Sequence, residues 1–141
     1  MMSSQWKNPY AETAFSKDPT DKTQKRIEDS EHLRFVKQLP SLVSGEQPCD
    51  PCHVRYGDPK HRKRKTPTRR KPDDMWVVPM TRAEHDCQHG MNEQAFWEQI
   101  GIDPLEVAYQ LYRVSGNIAA GRTIILNDRR AAQRSSRPKP S

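Results

Sequence analysis

The sequence has few apolar residues and no long apolar run. Only 33% of its 141 residues are hydrophobic and 7% are aromatic, so the packed core must be small. No apolar stretch approaches the roughly 20 residues needed to cross a bilayer, and the chain does not start with a hydrophobic signal segment. Three cysteines, an odd number, argue against a disulfide framework. We therefore expect a protein of the reducing cytoplasm with no membrane partner.

The length predicts one domain with polar ends. Residues 1–25 have few aliphatic side chains, and residues 129–141 consist mainly of Arg, Ser, Ala and Pro. Neither segment can bury enough surface to offset the entropy of ordering. We predict a flexible arm over 1–25, a folded domain over 26–128 with a basic loop at 57–73, and a disordered tail over 129–141. So small a core often recruits a metal ion.

Positive charge is concentrated in one segment. The net charge is +6, and residues 60–71 hold eight basic side chains and no acid. Clustered basic charge is typical of a protein that binds the phosphate backbone, and the alternative is a solvated loop that keeps the protein soluble. We favour nucleic acid because histidine motifs flank the run. The basic residues are Lys60, Arg62, Lys63, Arg64, Lys65, Arg69, Arg70 and Lys71.

Local signals predict several helices. An apolar face over 26–38 predicts a helix ended by Pro40. Thr81 with Glu84 matches a capping box, so a helix should start there. Asn92 and Asp103 match the N-caps of two more helices.

The remaining segments are less regular. Residues 41–56 suit a small hairpin with His53 on its second strand. Residues 57–72 contain three prolines and predict a mobile loop. Residues 75–79 suit a strand edge or an extended entry to the next helix, and 121–128 suits either a strand or a helix.

Three histidines form the most informative pattern in the chain. His85 and His89 are four residues apart, so on a helix both imidazoles face one side and can share a metal ion. His53 precedes them on a separate element. A histidine that activates water, combined with a metal-holding pair on a short helix, is what a ββα-metal nuclease needs. We interpret His32 and His61 as ordinary surface or core residues.

The cysteines allow a second interpretation. Cys49 and Cys52 form a C-x-x-C motif, which with His85, Cys87 or His89 could make a structural zinc site. Cys87 lies two residues from each helical histidine and points away from both on a helix. We therefore favour Cys87 as a packing residue.

Several segments share a pattern with a known family, namely 32–40, 50–55, 71–74, 78–80, 92–93, 96–97 and 101–104, together with His85 and His89. Taken together, they resemble the Ref-like nucleases of phages and prophages, which belong to the HNH (ββα-metal) superfamily. The resemblance implies an α+β fold, with a small ββα-metal core, flanking helices and disordered termini.

The resemblance also implies roles for single residues. His53 matches the general base, and His85 and His89 match the metal-binding pair. Cys52 occupies the position of another metal ligand, with Asp50 as a second candidate. A thiolate ligand would favour zinc over magnesium, so the expected cofactor is one divalent ion, zinc or magnesium/manganese.

This chain departs from the family at several positions. The middle asparagine of HNH has no clear counterpart, and Asp74 or Trp76 lies nearest. Family members also hold a structural zinc through two pairs of ligands. The matching positions here are Ser41, Ser44, Thr81 and Glu84, so all four ligands are replaced.

We therefore expect a DNA endonuclease of phage or prophage origin, working in a bacterial cytoplasm, with a recombinase or other phage protein as a further candidate partner. Two alternatives stay open: a non-catalytic DNA-binding or recombination accessory protein, and a zinc-stabilised interaction module. The expected DNA-binding residues are Arg55, Arg62, Lys63, Arg64, Lys65, Arg69, Arg70 and Lys71.

Overall fold

The computed structural model describes residues 26–67, 70 and 72–136, and this part of the chain has a mixed α+β fold. It contains five α-helices and one two-stranded antiparallel sheet. None of the helices in the described ranges is long and apolar enough to cross a bilayer. The elements in chain order are α1 (Ser30–Lys37), β1 (Asp50–His53), a 3-10 turn (Pro59–His61), β2 (Val77–Met80), α2 (Arg82–His89), α3 (Glu93–Ile100), α4 (Pro104–Arg113) and α5 (Ile118–Ser136).

The sheet differs from the predicted hairpin. β1 pairs with β2, from beyond the basic loop, in a register that places His53 opposite Val77. The predicted hairpin within 41–56 is therefore wrong: the strand that carries His53 exists as β1, but its partner lies at Val77–Met80. All four residues of β2 are buried, so this apolar segment is the better partner for β1. Residues 41–46 form a turn, closed by a hydrogen bond from the Ser41 amide to the Glu46 carbonyl (2.9 Å).

The first helix is shorter than predicted. It begins at Ser30 rather than at residue 26, because the Asp29 side chain caps it by accepting from the His32 amide at 3.0 Å. Residues 26–29 instead run along the segment before β2. The Ile27 amide donates to an Asp73 carboxylate oxygen (2.7 Å), and the Asp74 amide donates to the Ile27 carbonyl (2.9 Å).

Three predicted helix starts are confirmed. Thr81 and Glu84 form a capping box at the start of α2, with each side chain bonded to the other residue's amide. Asn92 caps α3, and Asp103 caps α4 ahead of Pro104. These caps join residues two or three positions apart, which explains why the sequence alone predicts them.

The last helix extends further than expected. α5 continues to Ser136, so residues 129–136 are helical where we predicted a disordered tail; residues 137–141 and 1–25 lie outside the described ranges. Ile125 and Ala132 are buried at helical spacing, and α5 packs against α4. Gly121 lies so close to α1 that an added Cβ would be 2.9 Å from Leu39 and Phe35 atoms. Burial of Ala132 accompanies the helical order of 129–136, a segment whose composition alone favours disorder.

The basic loop is more ordered than predicted over 57–67. It contains the 3-10 turn, a bridge between Asp58 and Lys63, and a hydrogen bond from the Thr66 amide to the Arg55 carbonyl (2.9 Å). Lys63 is only 5% exposed. The central core includes Trp76 and Trp97, and β1 contacts β2, α1 and α2.

Candidate metal and nucleic-acid site

His53 is held by a buried carboxylate. Its Nε2 atom lies 2.9 Å from Oδ1 of Asp74, and the two side chains are 18% and 4% exposed. An ionised carboxylate on one ring nitrogen fixes the tautomer and stabilises the protonated imidazole. The sequence offered Asp74 only as a position near the missing asparagine, because nothing local reveals which residue faces His53 across the chain.

Asp74 is in turn anchored from several directions. Arg26 donates to its Oδ1 (2.9 Å), and the Asp29 amide donates to its Oδ2 (2.8 Å). Burial acts to raise the pKa of Asp74, but the hydrogen bonds from His53, the Asp29 amide and Arg26 lower it overall. Asp74 is therefore ionised at neutral pH and rigidly placed.

The predicted histidine pair is brought together on α2. The Nε2 atoms of His85 and His89 face each other at 2.8 Å, and the ring centroids are 4.5 Å apart. Two nitrogens bound to one ion at about 2.1 Å lie roughly 3.0–3.4 Å apart, so a small rotation of either ring would let both bind the same ion. Burial, then the charges of His89 and Arg82, lower the pKa of His85, which favours the neutral imidazole that metals bind.

The predicted third ligand, Cys52, is not brought to this pair. Its side chain is 3% exposed within the core, and its Sγ donates to the Asp50 carbonyl at 3.5 Å. Burial raises the pKa of the Cys52 thiol to about 12, so the thiolate form is disfavoured. Over the described residues, no third His, Cys or carboxylate ligand atom lies within 4.8 Å of both His85 and His89.

The other cysteines also differ from the zinc interpretation. Cys49 is buried, and its Sγ donates to the Glu46 carbonyl (3.2 Å). Burial raises the pKa of Cys49 to about 11. Cys87 is exposed, so our interpretation of it as a packing residue is wrong. His32 is fully buried, which agrees with its interpretation as an ordinary surface or core residue.

The predicted DNA-binding residues are not all exposed: two of the eight, Arg55 and Lys63, hold the loop together, as described below. Arg62, Arg64, Lys65 and Arg70 are exposed, whereas Arg69 and Lys71 lie outside the described residues.

Lys63 and Arg55 instead hold the loop together. Buried Lys63 donates through Nζ to the carbonyls of Arg55 (3.1 Å), Tyr56 (2.8 Å) and Arg64 (3.2 Å), so its ammonium is directed at the backbone of the loop and not at solvent. Burial lowers the pKa of Lys63 to about 8. Arg55 donates through Nη2 to the carbonyls of Pro67 (2.7 Å) and Arg70 (2.9 Å), which ties its guanidinium to the loop.

The four positions where the family resemblance places absent zinc ligands form one hydrogen-bonded cluster. Ser41 donates its hydroxyl to Oε1 of Glu84 (2.5 Å), and the Thr81 amide donates to the same oxygen (3.0 Å). Burial acts to raise the pKa of Glu84, but hydrogen bonds from Ser41, Ser44 and Thr81 lower it overall. A carboxylate and its donors therefore occupy this place, which joins the 41–46 turn to the start of α2.

The described side chains thus offer an oriented imidazole at His53, a facing imidazole pair, and four exposed basic residues that we call the basic strip: Arg62, Arg64, Lys65 and Arg70. Comparisons of the chain with protein-family models, with curated proteins and with solved structures find no match.

Proposed function

We propose that this protein is a metal-dependent DNA endonuclease of the HNH (ββα-metal) type, similar to the Ref-like nucleases of phages and prophages. The proposal depends above all on one observation: His53 ends β1 against buried Asp74, while the helix after β2 carries a facing histidine pair. This is a water-activating group and a metal-holding pair on a strand–strand–helix unit. The setting would be a bacterial cytoplasm, with a recombinase or another phage protein as a further partner.

His53 acts in this proposal as the general base. With Nε2 bonded to Asp74, Nδ1 is the nitrogen that takes the proton from the attacking water. Asp74 keeps the ring oriented and stabilises the positive charge that the ring gains. Because Asp74 is already fixed by Arg26 and the Asp29 amide, no rearrangement is needed when the proton arrives.

His85 and His89 would hold the divalent ion, whose role when bound is to stabilise negative charge on the phosphate and the leaving oxygen. Two imidazoles suit zinc or another first-row transition ion better than magnesium. Asp50 lies close enough to influence the pKa of His85, and its carboxylate pairs with Arg82 at 3.5 Å. It is therefore a better placed additional ligand than buried Cys52.

The exposed basic side chains Arg62, Arg64, Lys65 and Arg70 would contact the DNA backbone. Such contacts supply affinity without reading sequence. Lys63 and Arg55 contribute indirectly, since they fix the loop that presents these groups.

Plasmid cleavage in the presence of Mg²⁺, Mn²⁺ or Zn²⁺ tests the assignment of the base. We expect His53→Ala to reduce the rate about 10²–10⁴-fold, with DNA affinity nearly unchanged, because a general base acts in the transition state. Asp74→Asn should also reduce the rate. Asp86→Ala, at an exposed position on α2, is the control and should cut at the normal rate. Cleavage by His53→Ala as fast as by the unmodified protein would refute the assignment.

The salt dependence of DNA binding tests the basic strip. Replacing Arg62, Arg64 and Lys65 by alanine should flatten the slope of log K against log salt, by about 0.9 for each phosphate that the variant no longer neutralises. A matched control replaces three exposed basic residues on helices, Arg34, Lys37 and Arg122, with the same loss of charge. Equal slopes for the two triple variants would mean that the loop does not contact DNA.

A second candidate function is a DNA-binding accessory protein that does not cut. It is favoured by the absence, in the described part of the chain, of a third ligand atom within 4.8 Å of both histidines. Salt-sensitive binding to duplex DNA, without nicking in any of the three metal ions, would select this candidate over the nuclease.

A further inference from the structure

A second group of potential metal ligands lies where the basic loop meets α4. One ligand atom each from Asp58, His61 and Asp103 falls within 4.8 Å of the other two. None of these residues belongs to the proposed nuclease site. Acidic side chains near one another are common, so the case depends on what His61 does there.

His61 is a buried side chain with an unsatisfied nitrogen. Its side chain is only 6% exposed, and Nε2 has no hydrogen-bond partner in the described structure. The ring lies between Trp76 and Tyr109, with both centroids 6.0 Å away, so these aromatic residues limit its movement. A buried polar atom without a partner is costly, and something must compensate for it.

Nε2 of His61 points at carboxylate oxygens that are too far away for hydrogen bonds. It lies 3.8 Å from Oδ2 of Asp103 and 3.6 Å from Oε1 of Glu106. Ligands bound to one ion at about 2.0–2.2 Å lie roughly 3.0–3.5 Å apart, which is close to these separations. The spacing is thus nearer to that of groups sharing an ion than to that of groups sharing a proton.

The carboxylates are held in place by the backbone. One oxygen of Asp103 caps α4 by accepting the amides of Leu105 (3.1 Å) and Glu106 (3.2 Å). One oxygen of Asp58 accepts the Lys60 amide (2.9 Å) at the start of the 3-10 turn. Ligands fixed in this way lose little freedom when an ion binds.

Lys60 marks the place as one that attracts a cation. Its ammonium lies 3.2 Å from Oδ2 of Asp103, the same oxygen that faces His61, and its side chain is 65% exposed. An exposed ammonium can move away at small cost, since exposed ion pairs contribute little to stability. Lys60 would therefore compete with a metal ion without blocking it.

We propose that Asp58, His61 and Asp103 form a second site for a divalent first-row transition ion. One imidazole with carboxylates suits Zn²⁺ or Mn²⁺. An ion there would fasten the 57–67 segment to α4, and so would stiffen the loop that carries the exposed basic residues. The site is independent of the histidine pair on α2 and does not depend on the nuclease proposal.

Zinc titration by calorimetry tests the site in a chain carrying His85→Ala, Cys87→Ser and His89→Ala, which removes the helical pair and the exposed thiol. We expect one Zn²⁺ per chain and a raised melting temperature on binding. His61→Phe keeps an aromatic ring, and Asp103→Asn keeps a good N-cap. Each should weaken binding at least about tenfold, since even the loss of a ligand's outer partner costs metal sites that much.

Lys60→Gln should change the zinc affinity in the opposite direction. Removing the competing ammonium should tighten zinc binding, whereas a general loss of structure would weaken it. The proposal is overturned if the triple variant is folded and binds no zinc. It is also overturned if adding His61→Phe or Asp103→Asn to the triple variant leaves its zinc affinity unchanged. If the triple variant does not fold, the unmodified chain supplies the measurement, and a zinc content unchanged by His61→Phe overturns the proposal there too.

Discussion

Glu84 joins two segments that are distant in the chain, and replacing it by alanine should destabilise the fold by about 2–4 kcal/mol. Its Oε1 accepts the Ser41 hydroxyl (2.5 Å) and the Thr81 amide (3.0 Å). Hydrogen bonds to charged groups contribute roughly 1.5–3 kcal/mol each, and removing a helix cap typically costs about 1 kcal/mol. Because Glu84 is half-exposed, water can replace part of this hydrogen bonding in the variant, so the full sum is not expected.

Urea denaturation followed by circular dichroism measures this cost. Asp86→Ala is the matched control, because Asp86 is an exposed acid on the same helix whose ion pair with Arg82 is long at 3.7 Å. Its effect should stay below about 0.5 kcal/mol. A Glu84→Ala effect no larger than that of Asp86→Ala would refute the reasoning.

A double-mutant cycle isolates the Ser41 contribution. Ser41→Ala should cost less than Glu84→Ala, and the double variant should be more stable than the sum of the two effects predicts, since both remove the same bond. Additive effects would show that the short contact between the two side chains contributes no measurable stability.

Two further predictions concern buried groups. Burial lowers the pKa of His32 to about 4. Between pH 6.5 and pH 4, the imidazole of His32 therefore binds a proton in the unfolded chain but stays neutral in the folded chain. Stability should therefore fall from pH 6.5 towards pH 4, by at most about 3 kcal/mol from this residue, and His32→Leu should remove that part of the slope in urea titrations. Lys63→Met should cost about 2–4 kcal/mol by leaving three carbonyls without their ammonium donor, whereas the exposed control Lys65→Met should cost less than about 0.5 kcal/mol in the same assay.

How far the sequence predicts the fold depends on the distance over which each signal acts. The caps at Thr81, Asn92 and Asp103 involve neighbouring residues, and all three are confirmed. The pairing of β1 with β2 joins segments on either side of the basic loop, and local turn signals pointed to the wrong partner. The ordered part of α5 beyond residue 128 depends on burial against the preceding helices, which composition does not reveal.

The candidate site shows the same division. The spacing of His85 and His89 predicted that they face each other, because one helix turn sets their distance. The partner of His53 could not be predicted, since Asp74 reaches it only through folding. Lys63 was grouped with its exposed neighbours because charge alone does not show which side chain of a basic run turns inward.

The anchoring of Asp74 depends on residues that lie outside every helix and strand. Residues 26–29 belong to no helix or strand, so a chain beginning at Ser30 would keep every regular element. It would nevertheless lack Arg26 and the Asp29 amide, two groups that hold this carboxylate in place beside His53. Domain boundaries drawn around secondary structure would thus remove two of the groups that hold Asp74 beside His53, together with the cap of α1.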